Sequence, residues 1–187
     1  MKKIILILGM AFAGLGLTSC ESDITALNVD PKRPSTLPAE TFFATSEYNL
    51  INRMITPSVN SNISRFFTQQ WSQTTYTDES NYDFVTRQIN TNHWNLMYND
   101  VLYGLKLTSE KLAVEPEPTL DAEVTVNKKA TTEIVAVYAW ANLVDTYGDV
   151  PYSEALKPTG ADQVIQPKYD DAQTIYRDLI VQIDEAI

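Results

Sequence analysis

Apolar residues recur along this chain at helical spacing, and the runs break at prolines, glycines and polar clusters. Over about 39–56 the larger apolar side chains are Phe42, Phe43, Leu50, Ile51 and Met54, with polar residues opposite. Pro38, preceded by Thr36 or Leu37, suits the start of this helix, and Pro57 stops it. Asn60 or Ser61 can cap a second helix reaching about Thr75, with Ile63, Phe66, Phe67 and Trp71 on one side. The stretch QTTYTDESNYDFVTRQIN that follows is polar and interrupted by aromatics, which is loop chemistry. A third helix is predicted over about 91–113. Its stripe of Trp94, Tyr98, Val101, Leu105 and Leu112 is continuous, and Glu115-Pro116-Glu117-Pro118 ends it.

A fourth helix starts between Leu120 and Thr132, a point the pattern leaves open. Its second half carries one apolar row of Ile134, Val137, Tyr138, Ala141 and Val144 and another of Ala136, Trp140, Leu143 and Tyr147. Only Asn142, Asp145 and Asp149 draw a polar line, so burial between neighbours is expected on nearly all sides. Tyr147-Gly148-Asp149-Val150-Pro151 ends it. Gly148 supplies a left-handed residue just past the helix, and Pro151 forbids resumption. Tyr147 and Tyr152 should pack over the corner, and Asp149 should accept backbone N–H groups in the turn. In the fifth helix Asp170 is the expected cap, with Gln173 completing a capping box. Its stripe is Ala172, Ile175, Tyr176, Leu179, Ile180, Ile183 and Ile187. That stripe has no stop signal at Ile187, which reads as the front part of a longer protein. No β-rich region stands out, so the fold class is all-α.

The opening of the chain changes the setting. Lys2 and Lys3 precede an apolar run from Ile4 to Leu17, too short to span a bilayer comfortably and typical of a secretory leader. The run ends in Leu17-Thr18-Ser19-Cys20, and Cys20 is the sole cysteine. It reads either as a free thiol near a terminus or, better, as the acylated first residue of a lipoprotein. Position, spacing and the lack of any other cysteine favour acylation. Several acyl chains on Cys20 suffice for stable anchoring, where one chain is marginal. The expected organisation is a signal peptide over 1–19, a lipidated tether over 20–37 carrying Pro31 and Pro34, and a helical domain over 38–187. The net charge of −10 becomes more negative once Lys2 and Lys3 are removed, and such a chain repels phosphate backbones, so nucleic acid is an unsuitable partner.

Candidate chemistry is sparse. His93 is the single histidine and reads as a structural or surface residue. No His/Cys cluster has metal-ligand spacing, and neither a nucleophile elbow nor a phosphate loop is present, so no catalytic residue, metal or cofactor is implied. Asp78-Glu79 reads as part of a solvated loop. Ring faces stack on sugars while polar neighbours bond the hydroxyls, and Tyr76, Asp78, Asn81 and Tyr82 with their neighbours have that composition. Ligand capture, an ordinary polar loop and a contact with a partner all suit this segment. Trp71, at the end of its helix beside the loop, suits packing or binding; Trp94 and Trp140 lie on core stripes.

The ordered set of leader with Cys20, LNVDPKRPS, Trp71-Ser72-Gln73, HWNLMYNDVL, YAWANLVDTYGDVPYSEAL and PKYDDAQTIYRDLIVQIDEAI resembles the N-terminal part of the SusD/RagB family of nutrient-binding outer-membrane lipoproteins, and its SusD-like branch in particular. The resemblance implies a tetratricopeptide-like helix-pair scaffold, truncated at its C-terminus, held by lipid on the outer membrane and facing the cell exterior. It also implies capture of an oligosaccharide or peptide and delivery to a SusC-like TonB-dependent transporter, without catalysis. A surface-anchored glycan-processing enzyme and a purely structural helical-repeat lipoprotein are the competing readings.

Overall fold

Pro38 lies in extended conformation immediately before the first helix, as the proline rule requires, and α1 runs Ala39–Ile55. The computed structural model describes residues 37–56, 64–114, 122–157 and 163–187. The leader, Cys20, the tether, the expected caps Asn60 and Ser61, and the Glu115–Pro118 stop lie outside the described residues. Beyond α1 come α2 (Ser64–Phe67), a 3₁₀ turn (Glu79–Asn81), α3 (Ile89–Asn95), a π-helical segment (Leu96–Leu102), α4 (Tyr103–Val114), α5 (Ala122–Tyr147), strands β1 (Val150–Pro151) and β2 (Tyr169–Asp170), and α6 (Ala172–Ala186). The architecture is all-α, with one antiparallel two-residue ladder among the described residues, in which Val150 faces Asp170 and Pro151 faces Tyr169. None of the described helices is long and apolar enough to cross a membrane.

The helices pack as a succession of neighbours: α1 on the π segment and α4, α4 on α5, and α5 on α6. Leu50, Met97, Val101, Leu102, Leu105, Val137, Trp140, Leu143, Ile175 and Leu179 form the core. Fully burying side chains of this size stabilises by about 1.5–3 kcal/mol each before entropy is counted. The π segment explains why Met97 and Leu102, absent from the sequence-derived stripe, are core residues. The Tyr103 N–H reaches back to Tyr98 O rather than to the fourth residue before it, which widens the turn and rotates extra side chains inward. At Gly104 this rod approaches α1 closely. A Cβ built there would lie 2.1 Å from Ser46 Oγ, itself buried and donating to Asp100 O at 3.3 Å.

Three expectations are corrected. The second helix stops at Phe67 rather than near Thr75: Gln69 turns to φ 56°, and the Gln70 and Trp71 N–H groups both close on Arg65 O. The polar residues that follow offer no periodic apolar face to hold a longer helix. Secondly, α5 is not buried on nearly all sides, since Ile134 and Tyr138 are exposed; its neighbours cover the face of Val137, Ala139, Trp140, Leu143 and Val144. Thirdly, α6 is capped by Asp171, whose Oδ1 accepts from Thr174 N at 2.9 Å.

Asp170 has a different task, and it explains the corner. Gly148 takes φ 77° and its N–H closes on Val144 O at 2.8 Å, ending α5 as expected. Asp149 Oδ1 then accepts from Ala172 N at 2.9 Å, across to the start of α6 rather than within its own turn. Asp170 reciprocates by accepting from Ser153 N at 2.7 Å and Tyr152 N at 3.2 Å. The Ser153 backbone donor first, with the Ser153 hydroxyl and the Tyr152 backbone donor, holds its carboxyl below the ordinary carboxylate range. Tyr98 Oη donates to Pro151 O at 2.7 Å, and Tyr152 packs edge-on against Trp140 at 4.9 Å. The corner is therefore a lock between α5 and α6, built over a cluster of rings.

Candidate functional site

Residues 68–88 form an irregular segment whose order comes from one buried carboxylate. Glu79, expected in a solvated loop, is 0 % exposed. This correction has a clear cause: Arg87 Nη1 donates to Glu79 Oε1 at 2.9 Å and to Oε2 at 3.2 Å, and Gln73 Nε2 donates to Oε2 at 2.8 Å. Gln73 Oε1 accepts from Ser80 N and Oγ, while Ser80 Oγ accepts from Gln73 N. A buried charge is tolerated when paired and hydrogen-bonded in this way. Asp83 ties the next turn, accepting from Val85 N, Thr86 N and Thr86 Oγ1; the Thr86 bonds hold its carboxyl below the usual range.

Gln69, Tyr76, Tyr82 and Gln88 all take positive φ, four of the five non-glycine residues that do so among the described residues. Such conformations cost of order 1 kcal/mol each and concentrate where a loop presents groups to a ligand. Trp71 is 48 % exposed and Tyr76 76 % exposed. With Phe66, Gln73, Thr75 and Arg87 they line an open cleft of about 510 Å³. The Arg65 guanidinium lies 4.7 Å from the Trp71 ring centroid, and Phe66 meets the indole edge-on, so the ring is held while remaining half open.

Of the residues selected from sequence, Trp71 and Tyr76 thus come together. Asp78, Asn81 and Tyr82 lie outside the cleft lining. Asp78 O accepts from Asn81 N and Asp83 N, Asn81 Nδ2 donates to Thr77 Oγ1, and Tyr82 stacks on Phe67 at 6.2 Å. Gln73 and Arg87 were not identified from sequence. The only sequence signal for Arg87 is an acid, Glu79, eight positions before it in a loop, too weak to single out, and Gln73 has none.

A SusD-like family model, described as "Starch-binding associating with outer membrane", matches residues 31–187. The chain belongs to the SusD-like family. No curated protein matches it. The family is one of glycan-binding proteins associated with the outer membrane, and the helix-pair architecture is the SusD-like one.

This SusD-like chain holds a second polar cluster where the end of α1 meets α3 and α5. His93 is buried, and Arg53 Nε donates to its Nδ1 at 2.9 Å. Nδ1 is therefore an acceptor, and Nε2 carries the proton toward Asn142 Oδ1 at 3.0 Å. Burial first, and the Arg53 charge second, lower the His93 pKa; the Asn142 bond opposes them. In the unfolded chain His93 regains its ordinary 6.5, so the unfolded state binds more protons below that pH. The stability held by neutral His93 is complete above pH 6.5 and is lost as pH falls toward the lower folded value. Denaturant unfolding at pH 7 and pH 5 should show this loss in the wild type and a smaller one in His93→Gln. An equal loss in both would place the effect in other groups.

Proposed function

We propose that this chain is an outer-membrane lipoprotein, anchored through acylated Cys20 and facing the cell exterior, that captures an oligosaccharide. It passes the ligand to a SusC-like TonB-dependent transporter without altering it. The half-open indole of Trp71 carries this reading: an exposed, pinned ring beside Tyr76, with amide, hydroxyl and guanidinium groups around it, suits a sugar ring. The family's description supports the ligand class and the membrane. Tyr82, Asp78 and Asn81 stand on the same segment and are proposed as outer contacts for a longer ligand. A pre-ordered loop lowers the ordering entropy of capture, which is the physical use of the Glu79 anchor.

Trp71→Ala should weaken maltooligosaccharide binding by about tenfold or more, since a well-packed aromatic contact is worth about 1.5–2 kcal/mol. Intrinsic fluorescence is a direct readout. Trp140 is buried and Trp94 is packed among Tyr98, Tyr147 and Tyr169, so a ligand-induced change reports Trp71. Equal affinities for wild type and Trp71→Ala would refute the site. Release of shortened products during incubation would refute binding without conversion.

A further inference from the structure

Arg53 is half buried, and among the described residues no carboxylate pairs with it. Ion pairs there involve Arg87, Lys106, Lys128 and Lys168 instead. The only hydrogen bond its guanidinium makes among them is the one from Nε to neutral His93, which leaves the terminal nitrogens open. A desolvated cation without a counter-charge is costly, and this chain carries 24 acidic side chains from which a partner could have come. Burial accordingly lowers the Arg53 pKa, an effect that the nearby Tyr147 opposes.

The guanidinium borders a cleft of about 530 Å³, within the range of small-molecule sites. Asn90, Asn142 and Thr146 add amide and hydroxyl groups to its walls. The rings of Phe67 and Phe84, 4.3 Å apart, line it too, together with Tyr147, whose hydroxyl donates to Asn90 O. His93 and Asn142 orient the arginine: its Nε is committed to the imidazole, so the Nη edge is the part left for a ligand.

We propose that this cleft is a second ligand site, specific for a sugar residue bearing a carboxylate, that is, a hexuronate. The planar fork of one guanidinium matches one carboxylate in a bidentate pair. Phosphate, with more charge, calls for further cations, and the described lining contains no lysine and no second arginine. The Asn90 amide, the Thr146 hydroxyl and the ring faces fit the remainder of a pyranose, while the Asn142 amide is engaged by His93 and Met54. The site is separate from the Trp71 cleft and does not depend on it.

The single histidine makes a direct test available. In nitrogen-15 spectra of the purified full chain, galacturonic acid should shift the His93 resonances saturably, and trigalacturonate should bind by calorimetry. Arg53→Gln should lower the trigalacturonate affinity about tenfold or more, the scale of a lost charge-assisted hydrogen bond. The methyl ester of galacturonic acid should leave His93 unmoved in the wild type, a comparison that needs no variant to fold. Three results overturn the proposal: no His93 shift with galacturonic acid, an equal shift with its methyl ester, or an equal shift with acetate. Starch oligosaccharides that fail to bind while galacturonic acid still shifts His93 would remove the Trp71 reading and support this one. The reverse pattern would do the opposite.

Discussion

Replacing Arg87 with methionine is expected to release the 68–88 segment while leaving the helical core folded. Glu79 would remain fully buried with only Gln73 to oppose its charge. Breaking a buried pair by removing one partner costs about 3–5 kcal/mol; with Arg87 29 % exposed, the lower end applies, about 3 kcal/mol. The strained residues Tyr76 and Tyr82 add to the drive for release, because only the surrounding contacts hold them at positive φ. Amide hydrogen exchange across 72–88 should accelerate by about a hundredfold, while the global unfolding midpoint moves little. The double variant Glu79→Gln/Arg87→Met should recover much of the protection, because no unpaired charge is then buried. Unchanged exchange in Arg87→Met would show that the pair does not order the loop.

Gly104→Ala should destabilise the core itself. Alanine gains about 1 kcal/mol over glycine in a helix interior, so the substitution would be favourable on an open surface. Here the new methyl group collides with Ser46 Oγ, and turning that hydroxyl away breaks its bond to Asp100 O in a site that is 1 % exposed. Overpacking of this kind costs about 1–3 kcal/mol, enough to outweigh the helical gain. Ser46 Cβ, at 3.5 Å from the same point, is in ordinary contact. Ser46→Ala should therefore relieve the clash, and the double variant should equal or exceed the wild type in denaturant unfolding. A Gly104→Ala protein more stable than wild type would mean that α1 and the rod separate more easily than their packing indicates.

The helices that were legible from sequence are those with strong local signals. Pro38 starts α1, Gly148 ends α5, and the Ile175–Leu179 stripe marks α6, each a matter of residues within a turn or two. Where two local signals compete, sequence is a poorer guide. Asp170 and Asp171 are both good caps by chemistry; Asp171 wins because the ladder to Val150 turns Asp170 toward Ser153. The π segment has no sequence signature, so the core roles of Met97 and Leu102 stayed hidden. Of the candidate cleft, Tyr76 was selected because a ring among polar residues is a compositional signal, and Trp71, placed at a helix end beside that loop, suited packing or binding until the structure showed its half-open ring. Glu79 misled for the same reason: an acid among Thr, Ser and Asn looks solvated until its partners are known.

By itself the sequence determined the all-α class, the start of α1 at Pro38, the end of α5 at Gly148 and the kinship with SusD-like proteins, because periodicity, punctuation and motif order are local along the chain. Tertiary structure alone decided that Arg53 meets His93 across 40 positions and His93 meets Asn142 across 49. It alone decided that Glu79 is buried and that Asp149 and Asp170 lock two helices together. Those outcomes depend on which surfaces face each other after packing, and burial sets the strength and meaning of a charge far more than its neighbours in sequence do.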